Sequence, residues 1–233
     1  FGNYIKALND ASFVHSFWYT ALFALVSLVF INVLAFAVAY ALTQGIKGSN
    51  LFRTVFFMPN LIGGIVLGYV WSMIFDGILS RYGTSILLET KYGFWGLIIL
   101  MCWQQVGYMM IIYIAGLQAV PEDMLEAAKI DGANDVNIFI NLVLPLAFPI
   151  LILNFVGTFS AQYNDYLWPG LVISSDVKKT LMPVIRNESG LLNLSQRGAM
   201  YAMYVLCSVP LIITTASSLK HFQSGDFASG MKL

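Results

Sequence analysis

The chain has 233 residues, of which 58% are hydrophobic and only 10% are charged, and its 12 lysines and arginines balance its 12 aspartates and glutamates. In soluble domains about a quarter of all residues are usually charged, so this composition excludes an ordinary soluble protein and predicts an integral membrane protein. The zero net charge gives no reason to expect a nucleic acid partner.

Five apolar stretches are long enough to cross the hydrocarbon core of a membrane, which requires about 20 residues in a helix. In chain order they cover residues 16–43, 55–75, 93–117, 146–163 and 199–219. Residues 1–15 form a polar lead-in, in which Tyr4 suits the headgroup level. The stretches predict an all-α integral membrane protein with a single transmembrane domain over residues 1–233.

The second stretch contains Pro59 and three glycines, at positions 63, 64 and 68. Gly64 and Gly68 form a small-xxx-small pattern, which lets helices approach closely in lipid. We therefore expect residues 55–75 to form a spanning helix that packs tightly against a neighbour.

A charged segment, residues 121–145, interrupts the apolar sequence between the third and fourth stretches. Pro121 suits the first position of a helix, and Glu122 places negative charge at the positive end of its dipole. Gly132 then supplies a break, after which an apolar stripe at helical spacing leads to Pro145. The segment is predicted to form two abutting helical pieces outside the lipid.

Three parts of this segment closely resemble the EAA signature of permease subunits of binding-protein-dependent ABC importers, namely Glu126-Ala127-Ala128, Asp131-Gly132-Ala133 and Leu144-Pro145. The spacing of the signature holds without a gap. The resemblance implies a type I ABC importer permease core of five transmembrane helices with a cytoplasmic coupling helix, which docks in a cleft of the ATP-hydrolysing subunit. It assigns coupling to the ATPase to Glu126, Ala127, Ala128, Asp131 and Gly132.

The residue types of the signature also suit docking. Ala127 and Ala128 let another surface approach closely, Glu126 offers a charge to that surface, and Gly132 permits a sharp turn. The alternative is an amphipathic helix that lies on the membrane surface. A cytoplasmic signature would place five of the 12 basic residues inside and seven outside, so the positive-inside rule does not favour this orientation.

Uncharged polar residues lie within the third and fourth stretches. Gln104 and Tyr108 share a helical face beside Gln105, and the fourth stretch carries a stripe at helical spacing made of Asn154, Thr158, Gln162 and Asp165. Polar groups in hydrocarbon need partners, so both sets are expected to face protein or a water-filled path. Amides, hydroxyls and an aromatic ring suit a sugar. The alternative is that they join helices to one another by hydrogen bonds.

In carbohydrate-type members of the family, the sugar path is built from the helices before and after the signature. By position relative to it, the resemblance implies a substrate path lined by Gln104, Gln105, Tyr108, Thr158, Gln162 and Asp165. It also implies a multi-pass protein of the bacterial or archaeal cell (inner) membrane. The implied partners are a second permease subunit, a cytoplasmic ATPase dimer that uses ATP, and an extracytoplasmic sugar-binding protein.

The resemblance extends over nearly the whole chain but leaves the type of permease subunit open. The part up to residue 125 resembles the first type of carbohydrate permease, whereas residues 164–169, 180–183 and the closing 225–233 resemble the second. The chain begins with Phe1 and shows no basic region before an apolar core, so we expect the N-terminal part of the full protein to be missing.

Residues that could form a catalytic site are not found in the sequence. There is no GxxxxGK[ST] nucleotide-binding pattern, and the two histidines are far apart from each other. We therefore expect no catalytic residue, no metal and no cofactor bound by this chain. Two other functions remain as alternatives: an ion-coupled secondary transporter, which would be expected to show inverted repeats and ionisable groups near the midplane, and a structural membrane subunit.

Overall fold

The computed structural model describes residues 1–86, 90–118, 120–172, 180–185 and 197–223, and no strand occurs among them. In chain order the helices are α1 Gly2–Asn9, α2 Ala11–Thr43, α3 Ser49–Phe57, α4 Gly64–Leu79, α5 Thr90–Gln118, α6 Glu122–Ile130, α7 Asp135–Ile138, α8 Leu144–Tyr163, α9 Leu167–Val172 and α10 Arg197–Gln223. A π-helical turn, Phe139–Val143, connects α7 to α8. The closing residues 225–233, compared above with the second type of permease, lie outside the described residues.

The five predicted spans correspond to three continuous helices and two bent helix pairs. Within the described residues, α2, α5 and α10 are each long and apolar enough to cross a membrane, and each bent pair reaches that length when counted as one span. Helix α2 begins five residues before the predicted stretch. It does so because Asp10 caps it by accepting a hydrogen bond from the backbone N–H of Phe13 at 3.0 Å.

The second predicted span is not one helix. Helices α3 and α4 meet at 99°, across a 3-10 turn that begins at Met58 and ends at Leu61. Pro59 supplies no N–H to the helical ladder, and Gly63 follows at the point where the chain changes direction. The prediction of a single helix over residues 55–75 is therefore wrong, although the sequence contained the residues that break it.

Both halves of this broken span pack closely on neighbours through glycines. A Cβ atom built on Gly107 of α5 would overlap the carbonyl oxygen of Phe56 and lie 2.8 Å from the backbone nitrogen of Phe57. A Cβ atom built on Gly64 of α4 would lie 2.9 Å from Cδ2 of Leu167 in α9. The close approach predicted at Gly64 is confirmed, and Gly107 provides a second and tighter one.

Helices α2, α5 and α8 form the centre of the bundle. The main buried cluster lies largely between α2 and α5 and includes Ile31, Leu97 and Met110. The hydroxyl of Tyr113 on α5 donates a hydrogen bond to the side-chain oxygen of Asn32 on α2. Lipid tails are as apolar as these side chains, so such packing and interhelical hydrogen bonds, rather than escape from water, hold the helices together.

Thr20 on α2 attaches residues 180–185 to the bundle. Its hydroxyl accepts a hydrogen bond from the backbone N–H of Leu181 at 2.7 Å, and both residues are buried. We expect Thr20→Val to lower the free energy of unfolding by about 1–3 kcal/mol, because the buried N–H loses its acceptor. Thermal unfolding in detergent measures this loss. Thr43→Val is the control, because among the described residues the Thr43 hydroxyl bonds only to the nearby carbonyl of Tyr40. Equal losses in both variants would contradict the expectation.

Candidate functional site

The charged segment between α5 and α8 folds as two short helices joined at Gly132. Helix α6 begins at Glu122, one residue later than predicted, with Pro121 immediately before it. Gly132 has a φ of +81° and donates its N–H to the carbonyl of Lys129 at 3.1 Å. Glycine adopts this left-handed conformation at little cost, so it ends α6 and lets α7 begin at Asp135. The prediction of two abutting helical pieces is confirmed.

The residues predicted to couple to the ATPase lie on and directly after α6. Glu126, Ala127, Asp131 and Gly132 are exposed, and Ala128 is half-buried. Within the described residues, the Glu126 carboxylate takes part in no ion pair or hydrogen bond. A groove of about 500 Å³ runs beside these residues and is lined by Ala127, Ala128 and Asp131 together with Asn137 and Asn141. A free charge beside small side chains forms a surface that a second protein can approach closely.

The π-helical turn Phe139–Val143 connects this surface to the membrane-spanning bundle. Phe139 packs on Phe36 and Tyr40 of α2, with ring centroids 5.6 Å and 5.3 Å apart. π-Helical turns are rare and frequently occur at functional sites. The sequence does not predict this turn, because apolar residues at helical spacing do not distinguish a π-helical turn from an α-helix.

The six residues predicted to line a substrate path have different environments. Gln104, Thr158 and Gln162 are buried, Gln105 and Asp165 are half-buried, and Tyr108 is 44% exposed. In this conformation, Tyr108 and Gln105 present side-chain surface at the edge of the bundle. The amides of Gln104 and Gln162 and the hydroxyl of Thr158 lie inside the bundle.

Helices α5 and α8 are in direct contact along this polar region. Gly116 of α5 packs on Ile150 of α8, and the hydroxyl of Thr158 donates a hydrogen bond to the sulfur of Met109 at 3.7 Å. The residue numbers rise along one helix as they fall along the other, so the two helices are antiparallel. Thr158 therefore does contribute to holding α8 against α5.

Two buried amides are placed at a similar depth by this antiparallel arrangement. Gln104 precedes Met109 by five residues, and Gln162 follows Thr158 by four. The Oε1 atoms of both glutamines are buried without a hydrogen-bond partner within the described residues. A polar atom that is buried and unpaired costs free energy, particularly in a membrane. Water or a polar ligand is therefore expected near them.

Asp165 has a structural role that the sequence analysis did not assign. Its Oδ1 atom accepts hydrogen bonds from the backbone N–H groups of Leu167 at 3.0 Å and Trp168 at 3.4 Å. This arrangement caps the N-terminus of α9, the helix on which Gly64 packs. Within the described residues, no group of three or more His, Cys, Asp or Glu side chains could hold a metal ion.

Comparison with known proteins gives matches over most of the chain. Residues 31–225 match the family described as binding-protein-dependent transport system inner membrane component. The chain is 39% identical over 170 residues to AmyD of Thermoanaerobacterium thermosulfurigenes, a probable starch degradation products transport system permease protein. That alignment covers 70% of this chain and 58% of AmyD, so the chain spans little more than half of that relative.

Two further matches cover almost the whole chain. UgpA of Agrobacterium fabrum, an sn-glycerol-3-phosphate transport system permease protein, is 29% identical over 230 residues, which are 92% of this chain and 77% of UgpA. A solved structure of a bacterial ABC transporter involved in the import of the acidic polysaccharide alginate superposes with a TM-score of 0.80. It has 16% identity and covers 94% of this chain and 83% of the other, so it shows a common fold.

Proposed function

Because the chain belongs to the family of binding-protein-dependent transport system inner membrane components, we propose that it is a permease subunit of an ATP-driven ABC importer for sugars or oligosaccharides. As a member of that family it is a multi-pass protein of the inner membrane. Its proposed partners are a second permease subunit, a cytoplasmic ATPase dimer and an extracytoplasmic sugar-binding protein. In this proposal the chain is not an enzyme and binds no cofactor, and the ATPase uses ATP.

The observation that carries the proposal is the exposed surface of α6, on which the Glu126 carboxylate makes no ion pair within the described residues, together with the short connection from α6 to α8. The segment passes from α6 through Gly132, α7 and the π-helical turn into α8 with no long loop between them. Movement of α6 by the ATPase would therefore be transmitted to α8. Helix α8 carries Thr158 and Gln162, so closure of the ATPase pair would change the access of the path from one side of the membrane to the other.

The charge of the proposed path favours an uncharged substrate. Its side chains are amides, hydroxyls and one carboxylate, and none is a cation. Recognition of a phosphate ester usually requires Arg, Lys or a helix N-terminus. The path therefore suits a sugar better than the sn-glycerol-3-phosphate for which UgpA is named, in agreement with the name of AmyD.

Purification of the tagged chain from its native membrane tests the proposal against its two alternatives. We expect an ATPase to copurify, and uptake of a labelled oligosaccharide to require ATP. Uptake that depends on an ion gradient without a copurifying ATPase would support a secondary transporter instead. Unchanged uptake of all substrates after deletion of the chain would support a structural subunit.

Substitutions in the proposed path should alter selectivity among sugars. We expect Tyr108→Ala and Gln162→Ala to reduce uptake several-fold at normal membrane abundance and to change the ranking of sugars, because each lost contact costs about 1–3 kcal/mol. Uptake of several labelled sugars per inserted chain measures this. Tyr204→Ala is the control, because Tyr204 on α10 is similarly exposed, at 42%. Reduced abundance with an unchanged ranking would indicate that these residues only join helices.

A further inference from the structure

A cavity of about 520 Å³ lies where α6 meets the ends of α2 and α5. Its polar lining consists of Tyr40, Thr43 and Gln44 from the end of α2, Gln118 from the end of α5, and Lys129 from the last turn of α6. Apolar side chains of α5, α6 and the π-helical turn complete it. The volume is in the range of small-molecule sites, about 300–1,000 Å³, and much larger than a single water requires.

The polar groups in this cavity are those that recognise an anion. Lys129 supplies a cation, and within the described residues it has no carboxylate within ion-pair distance. The amides of Gln44 and Gln118 and the phenol of Tyr40 can donate hydrogen bonds, and among the side chains that the structure describes no Asp or Glu lines the cavity. The nearby carboxylate of Asp131 lines the separate groove on the other side of α6. In the part of the chain that the structure describes, the cavity therefore combines one cation that makes no ion pair with several neutral donors and an apolar wall.

Lys129 also lies at the end of α6, where the helix dipole favours a cation without any ligand. That effect explains a lysine in the last turn of the helix. It does not explain a partly open cavity in which the ends of α2 and α5 place amide and hydroxyl groups around the lysine. The position beside the ends of two spans is the level at which lipid headgroups lie, and basic pockets between helices on the cytoplasmic side bind anionic headgroups.

We propose that this cavity binds a phosphate group, with Lys129 as its counter-ion and Gln44 and Gln118 as hydrogen-bond donors. The remainder of the ligand lies against the apolar wall. Two sources supply such a group: the headgroup of an anionic phospholipid in the adjacent leaflet, and a soluble phosphorylated compound. The site is distinct from the sugar path, and its occupancy does not depend on whether the chain imports sugars.

The lipid source is tested with the full chain in nanodiscs of phosphatidylcholine mixed with phosphatidylglycerol, followed by native mass spectrometry. We expect the wild-type chain to retain phosphatidylglycerol in preference to phosphatidylcholine. Lys129→Gln should weaken this retention about fivefold or more, because one lysine at a membrane surface contributes roughly that factor. Lys47→Gln is the matched control, because Lys47 is exposed in the connector after α2 and does not line the cavity.

The soluble source is tested by calorimetric titration of inorganic phosphate into the chain in nanodiscs of phosphatidylcholine alone. Saturable binding that Lys129→Gln abolishes and Lys47→Gln leaves intact would assign the site to a soluble phosphate compound. Loss of phosphatidylglycerol retention in Lys129→Gln, with no binding of inorganic phosphate, would assign it to the lipid. The proposal is overturned if both lysine variants lose binding equally, or if Lys129→Gln matches the wild type in both measurements. Lys129 is exposed, so its replacement leaves the buried core unchanged.

Discussion

Gly107→Ala is expected to reduce the yield of folded chain severely. The added methyl group would overlap the backbone of Phe56 and approach that of Phe57, and backbone cannot rotate away as the end of a side chain can. Helix α3 would have to move off α5 along its whole contact. Overpacking usually costs about 1–3 kcal/mol, and we expect a value at or above the upper end. The monodisperse fraction after size-exclusion chromatography and the thermal unfolding midpoint measure the effect.

Gly77→Ala is the matched control for this substitution. Gly77 also lies inside a helix, but no atom lies within 4 Å of a Cβ built on it, so alanine there should be neutral or slightly stabilising. The contact at Gly107 matters because it covers the backbone where α3 ends and the broken span changes direction. Irregular backbone at membrane depth is tolerated only against protein or a water-filled cavity. A Gly107→Ala chain as stable as the Gly77→Ala chain would show that the broken span does not depend on this contact.

The membrane class and the number of spans could be predicted because both follow from the length of apolar stretches. Whether the helix within a stretch is straight or broken could not be predicted in this way. Averaged hydropathy remains high across the break between α3 and α4, although Pro59 and Gly63 each carried a local signal for it. Gly107 carried a weaker signal, because an isolated glycine in an apolar helix indicates close packing but not which neighbour approaches.

The local structure of residues 121–145 was predicted well because its features are local in sequence. The break at Gly132 needs only the φ preference of glycine, and α6 ends two residues before it. The environment of the polar stripe was less predictable. Helical spacing places Thr158 and Gln162 on one face, but it does not show that both are buried or that Thr158 contacts Met109 of α5. The cavity around Lys129 was not predicted, because residues far apart in the sequence line it.

Reversing the charge of Glu126 is expected to uncouple the chain from its proposed ATPase while leaving its fold intact. Glu126 is exposed and makes no ion pair within the described residues, so the free energy of unfolding should not change in Glu126→Arg. At a docked interface, however, a charge of the wrong sign costs several kcal/mol. We expect at least a tenfold loss of copurified ATPase and of sugar uptake per inserted chain, since about 1.4 kcal/mol corresponds to a factor of ten.

Asp123→Arg is the control for charge, because Asp123 is an exposed acid on the same helix but outside the predicted coupling residues. It should retain most of the ATPase and of the uptake. Equal losses in the two variants would show that only the net charge of α6 matters, and normal uptake in Glu126→Arg would exclude Glu126 from docking.

Substitution of Gly132 tests the proposed coupling to the ATPase by changing the backbone conformation of the segment instead of its charge. Proline fixes φ near −65°, whereas Gly132 has a φ of +81° and donates its N–H to Lys129. Gly132→Pro therefore cannot keep the turn that orients α6 relative to α7. Gly132→Ala keeps the N–H and can adopt the same φ with strain of about 1–2 kcal/mol. We expect uptake and retained ATPase to fall in the order wild type, alanine, proline at equal membrane insertion. A proline variant that still holds its ATPase and imports sugar normally would show that coupling does not require this turn.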